Sequence, residues 1–130
     1  MSLTFRKEER LCSRRLIDQL YAEGHRLMAF PYSVQWMLLP EGEGDVPAQV
    51  MIVAPKRKFH HAVDRNRVRR LTRECYRLRK DSIYSFLQEH NVSIVFSMVY
   101  IHNEIMPFEQ LGNKMDKLLA ALENDIKATL

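Results

Sequence analysis

The stretch HAVDRNRVRRLTRECYRLRK, residues 61–80, decides how the rest of the chain is interpreted. It contains no Gly or Pro, so nothing in it interrupts a helix. Four apolar residues recur within an arc of about 80° at helical spacing, namely Val68, Leu71, Cys75 and Leu78. The other side of the helical wheel carries polar and basic residues, namely Asn66, Arg69, Arg70, Arg73, Arg77 and Lys80. The pattern predicts a helix that packs through one half of its surface and is cationic on the other.

The positive charge of the chain is concentrated around this helix. Residues 54–80 contain eleven Lys and Arg against Asp64 and Glu74, whereas the other 103 residues contain nine basic and fourteen acidic residues. This concentration indicates one surface presented to a polyanion, while the rest of the chain favours solubility. The alternative is a solvated helix face without a partner, although such faces usually mix both signs at i and i+4 positions.

The segments before the basic helix predict one helix and two strands. Ser13–Glu23 has apolar residues one turn apart, with Ser13 as a candidate N-cap and Gly24 just past the end. Residues 32–39 alternate between apolar and polar side chains, which predicts a strand with one buried face. Residues 49–54 are almost continuously apolar, which predicts a central strand that pairs with the preceding strand as a hairpin.

The remaining segments complete a small α+β fold. Pro40–Pro47 is predicted as a loop, residues 92–101 as a strand, and the segment after Pro107 as an amphipathic helix whose first turn Gly112 weakens. The predicted order is helix, strand, strand, helix, strand, helix. With 130 residues and no linker or repeat, residues 1–130 are expected to form a single domain.

Composition excludes several classes of protein. The longest uncharged stretch, residues 91–103, is shorter than the roughly 20 apolar residues of a membrane-spanning helix. The charged N-terminus lacks the apolar run of a signal peptide, so we expect a cytoplasmic protein without a membrane partner. Two cysteines, Cys12 and Cys75, agree with a reducing compartment and cannot form a metal-finger pattern.

The sequence offers no catalytic constellation and no metal site. Five histidines occur without HExxH spacing, and P-loop, GxGxxG and GxSxG motifs are absent. These histidines are expected at the surface or at helix caps, and Cys75 is expected in the core rather than as a nucleophile. The carboxylates of residues 41–45 are interpreted as a solubilising turn.

An array of arginines on a rigid helix is suited to a nucleic-acid backbone. Guanidinium groups bind phosphate oxygens as a fork and displace condensed counterions. Arginines on one helix face lie about 5 to 6 Å apart, which is comparable with the phosphate spacing of a strand. Asn66 could hold a phosphate, a 2′-OH or a metal-bound water, or alternatively could make a local capping bond.

Residues 62–74, AVDRNRVRRLTRE, resemble the hallmark motif of the protein subunit of bacterial ribonuclease P, with its Arg-Asn-Arg core on a basic helix. The resemblance extends to the first helix with its terminal Gly24, to the strand that ends at Pro55, and to the later strand and helix. It implies an α/β sandwich with a small, mainly antiparallel sheet and a left-handed β-α-β crossover through the basic helix. Such a crossover is contrary to the usual right-handed rule.

The resemblance implies a function in which the catalyst is RNA. The protein would assist a catalytic RNA in the endonucleolytic removal of the 5′ leader from precursor tRNA, with no catalytic residue in this chain. The implied partners are the catalytic RNA and precursor tRNA, without an obligate protein partner. The implied cofactor is Mg²⁺, held mainly by the RNA.

The resemblance also implies which positions of this sequence form the binding sites. The implied RNA-binding residues are Lys56, Arg57, Lys58, Arg65, Asn66, Arg67, Arg69, Arg70, Arg73 and Arg77. The implied leader cleft contains Ile17, Tyr21 and Gln35. Since Ile17 and Gln35 stand where the family often has aromatic rings, we expect base stacking to be weakened or moved to Tyr21 or Trp36. The segment 58–61 is about one residue longer than the common form and lacks its Gly.

Two rival functions remain at this point. A structural RNA-binding protein of ribosomal type would explain the basic helix but not the full motif in this order. A DNA-reading helix would normally need a partner helix at a tight turn or a dimer with half-sites, and residues 56–61 provide neither.

Overall fold

The computed structural model describes residues 4–39 and 46–130, and in these residues it has three helices and four strands. Their bounds are α1 Arg14–Glu23, β1 His25–Ala29, β2 Tyr32–Leu38, β3 Ala48–Val53, α2 Ala62–Glu89, β4 Ile94–Tyr100 and α3 Phe108–Thr129. A 3₁₀ turn at Lys7–Glu9 precedes α1. Most of the predicted loop 40–47, including the acidic residues 41–45, lies outside the described residues. None of the described helices is long and apolar enough to cross a membrane.

Helix α1 forms where its capping residues predict it. The Ser13 hydroxyl accepts a hydrogen bond from the Leu16 amide at 3.3 Å, which satisfies one of the first-turn donors. At the other end, the Gly24 amide donates to the Leu20 carbonyl at 2.8 Å. A Cβ at Gly24 would collide with that same carbonyl, so the tight exit from α1 into β1 requires glycine.

The sheet has the strand order β1-β2-β4-β3. Strand β2 pairs antiparallel with β1 and β4, and β3 pairs parallel with β4. The mainly antiparallel α+β fold is therefore confirmed, and β3, α2 and β4 form a β-α-β unit with parallel strands.

Two details of the predicted sheet are wrong. Strand β1 was not predicted, and it takes the hairpin position beside β2 that was assigned to residues 49–54. Its side chains are at most half-buried, so it lacks a strong alternating signal. The interior strands are β2 and β4, whereas β3, predicted as a central strand, lies at the edge of the sheet. The chain near Arg10 shields that edge, where the Leu11 amide donates to the Val50 carbonyl at 2.9 Å.

The sheet is covered on both faces. Helices α2 and α3 pack on one face around a core that includes Trp36, Phe96 and Met98. Helix α1 packs on the other face, where Leu16 and Leu20 contact a smaller cluster. Because β4 contributes to both clusters, it is buried along most of its length.

Helix α2 is longer than the predicted segment 61–80 because its buried stripe continues after Lys80. The buried residues of the helix are Val68, Thr72, Cys75, Tyr76, Lys80, Ile83 and Leu87. Leu78, predicted to pack, is 43% exposed. Thr72 and Tyr76 occupy the buried side instead, and the Thr72 hydroxyl is 2.7 Å from the Tyr32 hydroxyl. A search for apolar residues at helical spacing misses Thr72 and Tyr76, because both side chains carry a hydroxyl group.

Helix α3 begins after Pro107, as predicted, and buries a regular apolar stripe. Gly112, predicted to weaken its first turn, has a packing role. The guanidinium of Arg79 from α2 occupies the space in which a Cβ of Gly112 would lie. The glycine thus leaves room for the Arg79 side chain between α2 and α3.

Candidate nucleic-acid interface

The first half of α2 presents exposed arginines beside a basic loop. We define the arginine face as Arg67, Arg69, Arg70 and Arg73, and the basic loop as residues 56–58. Arg67, Arg70 and Arg73 are exposed and Arg69 is half-buried. On the opposite side of the same turns, Val68 and Thr72 are buried in the core. The packed side therefore fixes the helix, so that the arginines are displayed on a rigid support.

Two residues of the Arg-Asn-Arg motif organise this surface. Asn66 accepts a hydrogen bond from the Arg69 guanidinium at 2.5 Å, which orients that arginine. The N-cap of α2 is His61. Asn66 therefore does not form the capping bond that was the alternative interpretation. Arg65 donates through Nη1 to the carbonyls of Phe59 and His60 at 2.8 and 2.9 Å. Arg65 therefore fastens the preceding loop to the helix.

The basic loop extends the positive surface from the start of α2. Lys56 and Arg57 are exposed. Lys58 is half-buried and donates through Nζ to the Asn103 side chain at 3.1 Å, which ties the loop to the segment after β4. Lys56 and Arg57 therefore add exposed cations to the segment that immediately precedes α2.

The second half of α2 uses its cations within the protein. Arg77 binds the Glu74 carboxylate through Nε and Nη2 at 2.7 and 3.0 Å, and its hydrogen bond holds the pKa of Glu74 below the usual range. Arg79 binds Asp116 of α3 at 2.9 Å. Lys80, predicted on the outward basic side, is only 3% exposed, so that part of the prediction is wrong.

Lys80 belongs to a buried polar cluster that sequence reasoning missed. Its ammonium contacts the Glu9 carboxylate and the Thr4 carbonyl, and the Tyr84 hydroxyl donates to Glu9 at 2.5 Å. We call Glu9, Lys80 and Tyr84 the Glu9 cluster. Burial raises the pKa of Glu9, but the hydrogen bonds from Lys80 and Tyr84 outweigh it and leave that pKa lowered. The cluster joins the N-terminal segment to α2 across about 70 residues, a separation that no local pattern reveals.

The predicted cleft residues lie on α1 and on the sheet face beneath it. Tyr21 is 47% exposed near the end of α1. Gln35 is half-buried and lies on the same face of β2 as Met37, which packs under α1. Ile17 is half-buried against the same small cluster. We call Ile17, Tyr21 and Gln35 the α1 cleft, in which Tyr21 supplies the exposed ring.

Trp36 cannot take over base stacking in this cleft, contrary to one of our expectations. It is fully buried on the opposite face of the sheet and donates through Nε1 to Asp125 of α3 at 2.6 Å. As β2 alternates, Trp36 and Gln35 point to opposite faces. Tyr21 therefore remains as the aromatic candidate.

Metal-binding side chains do not cluster near these surfaces in residues 4–39 and 46–130. No group of three His, Cys, Asp or Glu side chains there could hold a metal ion. Cys75 is buried in the core, as predicted, and burial raises the pKa of its thiol. His25, His60, His61 and His90 are exposed, and His102 is half-buried.

A basic helix with exposed arginines, packed on a small and mainly antiparallel sheet, is typical of a small RNA-binding protein of the α+β class. The sequence model of the family described as Ribonuclease P matches residues 5–123, and the chain belongs to that family. It is 32% identical over 123 residues to the ribonuclease P protein component of Porphyromonas gingivalis, covering 95% of this chain and 89% of that protein.

Solved structures agree with this assignment at the level of the fold. The Staphylococcus aureus ribonuclease P protein is 19% identical and has a TM-score of 0.67, covering 88% of this chain and 94% of that one. The Thermotoga maritima protein is 22% identical with a TM-score of 0.65, covering 85% and 94%.

Membership of the family defines the activity in which the chain takes part. It is the protein component of an endoribonuclease whose RNA subunit performs the cleavage, and such proteins assist that RNA in processing the 5′ leader of precursor tRNA. The partner implied by this role is the RNA subunit.

Proposed function

We propose that the arginine face and the basic loop bind the catalytic RNA subunit, and that the α1 cleft holds the 5′ leader of precursor tRNA. The observation that carries the first part is the exposure of Arg67, Arg70 and Arg73 on a helix whose other side is buried. Their side chains form no ion pair within the described residues, so phosphate binding breaks no internal salt bridge.

Each residue of the motif then has a distinct role. Arg67, Arg70 and Arg73 contact phosphates, while Arg69 is oriented toward the RNA by its bond to Asn66. The Nδ2 group of Asn66 remains a donor for a phosphate or a 2′-OH. Arg65 acts as a positioning residue, because its guanidinium holds the loop that carries Lys56 and Arg57.

The protein contributes positioning and charge rather than a nucleophile. Catalytic RNA and precursor tRNA repel each other, and a cationic protein between them reduces that repulsion and fixes the leader. The Mg²⁺ that activates the attacking water is assigned to the RNA subunit. The assembly would act in the cytoplasm.

The RNA interface is tested by the salt dependence of binding. Replacing Arg70 and Arg73 together with Ala should weaken binding to the catalytic RNA and reduce the magnitude of the salt slope by about 0.7 to 0.9 per lost phosphate contact. Titrations of labelled RNA at several salt concentrations measure both quantities. The matched control is Arg14→Ala, since Arg14 is an exposed arginine on α1 that pairs with Asp18. An unchanged slope for the double variant would refute the assigned face.

The leader cleft is tested by comparing two substrates. Tyr21→Ala should lower the affinity of the holoenzyme for precursor tRNA more than its affinity for mature tRNA. The reason is that one stacked base of the leader contributes about 1 to 3 kcal/mol. Tyr21→Phe should retain most of the affinity, because the ring remains. Equal losses for both tRNAs would place the leader elsewhere.

Cleavage assays distinguish this role from that of a structural RNA-binding protein. Precursor tRNA is incubated at modest Mg²⁺ with the protein alone, the catalytic RNA alone, or both. We expect little cleavage with the protein alone and faster cleavage with both than with RNA alone. RNA binding without any change in cleavage would favour the structural alternative.

A further inference from the structure

An aromatic pair, with one exposed and one half-buried ring, lies at the turn between β1 and β2. Phe30 is 43% exposed. The ring of His102, from the segment after β4, lies 5.0 Å from the Phe30 ring between centroids, at an interplanar angle of 60°. The Ile101 amide donates to the Pro31 carbonyl at 2.8 Å, which holds the two segments together. We call Phe30 and His102 the aromatic patch.

The aromatic patch rests on a rigid base. The His102 ring is 6.5 Å from that of Tyr100, which is fully buried against Tyr32. The Tyr100 hydroxyl donates to the Glu104 carbonyl at 2.7 Å and accepts from the Met106 amide at 3.1 Å. The segment that carries His102 is therefore fixed on both sides of the ring. A preorganised surface binds a ligand at a lower entropic cost.

The basic loop adjoins the aromatic patch. Lys58 donates to the side chain of Asn103, the residue next to His102. Phe59 packs its ring 5.9 Å from Tyr100, which brings the start of α2 to the same end of the sheet. Lys56 and Arg57 are exposed on this loop. An exposed ring beside cations is complementary to an unpaired nucleotide, because the base stacks and the phosphate meets positive charge.

We propose that the aromatic patch stacks an unpaired nucleobase of the catalytic RNA. The inference rests on the proposed function, since it takes the basic loop as part of the RNA interface. The catalytic RNA is the favoured source of the base because the patch continues that loop, whereas Tyr21 of the leader site lies on α1. The patch adds stacking to an interface otherwise composed of charge contacts.

Affinity for the catalytic RNA at several salt concentrations tests the proposal. Phe30→Leu keeps an apolar side chain but removes the ring, and should weaken binding about fivefold or more. The salt slope should stay as in the parent protein, because no phosphate contact is lost. His102→Ala should act in the same direction, and Phe30→Trp should retain the parent affinity. The matched control is Phe108→Leu, at a phenylalanine that is 40% exposed at the start of α3.

The outcomes separate this proposal from the function on which it rests. Parent-like binding by both Phe30→Leu and His102→Ala would overturn the patch, while a reduced slope for the Arg70 and Arg73 double variant would leave the RNA interface in place. An equal loss with Phe108→Leu would also overturn it, since the effect would not be specific to the turn. A loss confined to precursor tRNA would overturn the assignment of the base to the catalytic RNA.

Discussion

The two halves of α2 use their basic residues in opposite ways. In residues 62–73, Arg67, Arg70 and Arg73 are exposed and form no ion pair with described residues. In residues 74–89, every Lys or Arg is paired with a carboxylate, from Glu74, Asp116 or Glu9. The count of basic residues therefore overstates the RNA-binding surface. A cation that forms no ion pair within the protein binds phosphate without first breaking an internal contact.

The largest effect is expected where the second half is most deeply buried. Lys80→Met should lower the free energy of unfolding by about 3–5 kcal/mol, because it leaves the Glu9 carboxylate buried without its cation. Urea denaturation measures the loss. The matched control is Arg70→Met, in the first half, which should change stability by less than about 0.5 kcal/mol.

A second variant separates loss of the ion pair from loss of packing. In Glu9→Gln/Lys80→Met both charges are gone, so the double variant should recover part of the stability lost by Lys80→Met alone. If Lys80→Met costs no more than Arg70→Met, the two halves of the helix do not differ as described. If the double variant recovers nothing, the lost stability comes from packing rather than from the unpaired carboxylate.

Acid should weaken the same contact. Burial raises the pKa of Glu9, but bonding to Lys80 and Tyr84 leaves it below the ordinary value of 4.5. The stabilisation is therefore fully present above the unfolded-state pKa and is lost as the pH falls through the folded-state pKa. Urea midpoints between pH 7 and pH 3 should decline, and Glu9→Gln should flatten the decline. An undiminished decline in that variant would assign acid sensitivity to other carboxylates.

The difference between the halves also explains how far the sequence could lead. The motif at Arg65–Arg67 and the caps of α1 are local, and both predictions locate their residues correctly on helices. Lys80 was misplaced because its partner Glu9 is brought close only by tertiary folding. The predicted hairpin of residues 32–39 with 49–54 is wrong for a similar reason. Strand β1 has no clear alternation of apolar and polar residues, and it is defined by its pairing with β2. The position of Trp36 behind the sheet followed from strand alternation and was available from the sequence.

The smallest expected effect concerns the boundary between the two halves. Glu74 lies beside the arginine face, and the hydrogen bond from Arg77 keeps its pKa low, so it is charged at neutral pH. Glu74→Gln removes one negative charge next to Arg73 and should tighten binding to the catalytic RNA about two- to threefold at low salt. Since the Arg77–Glu74 pair is partly exposed, the free energy of unfolding should change by less than about 1 kcal/mol.

The control for this variant is Asp116→Asn, which removes the acidic partner of Arg79 on α3 and changes the net charge by the same amount. We expect no comparable gain in RNA affinity, because that pair joins α2 to α3 where the Arg79 guanidinium lies against Gly112. An equal gain from both variants would mean that RNA responds to total charge. A gain from Glu74→Gln alone would locate the end of the RNA-binding surface at Glu74. Basic residues of α2 before that position then bind RNA, and those after it form ion pairs within the protein.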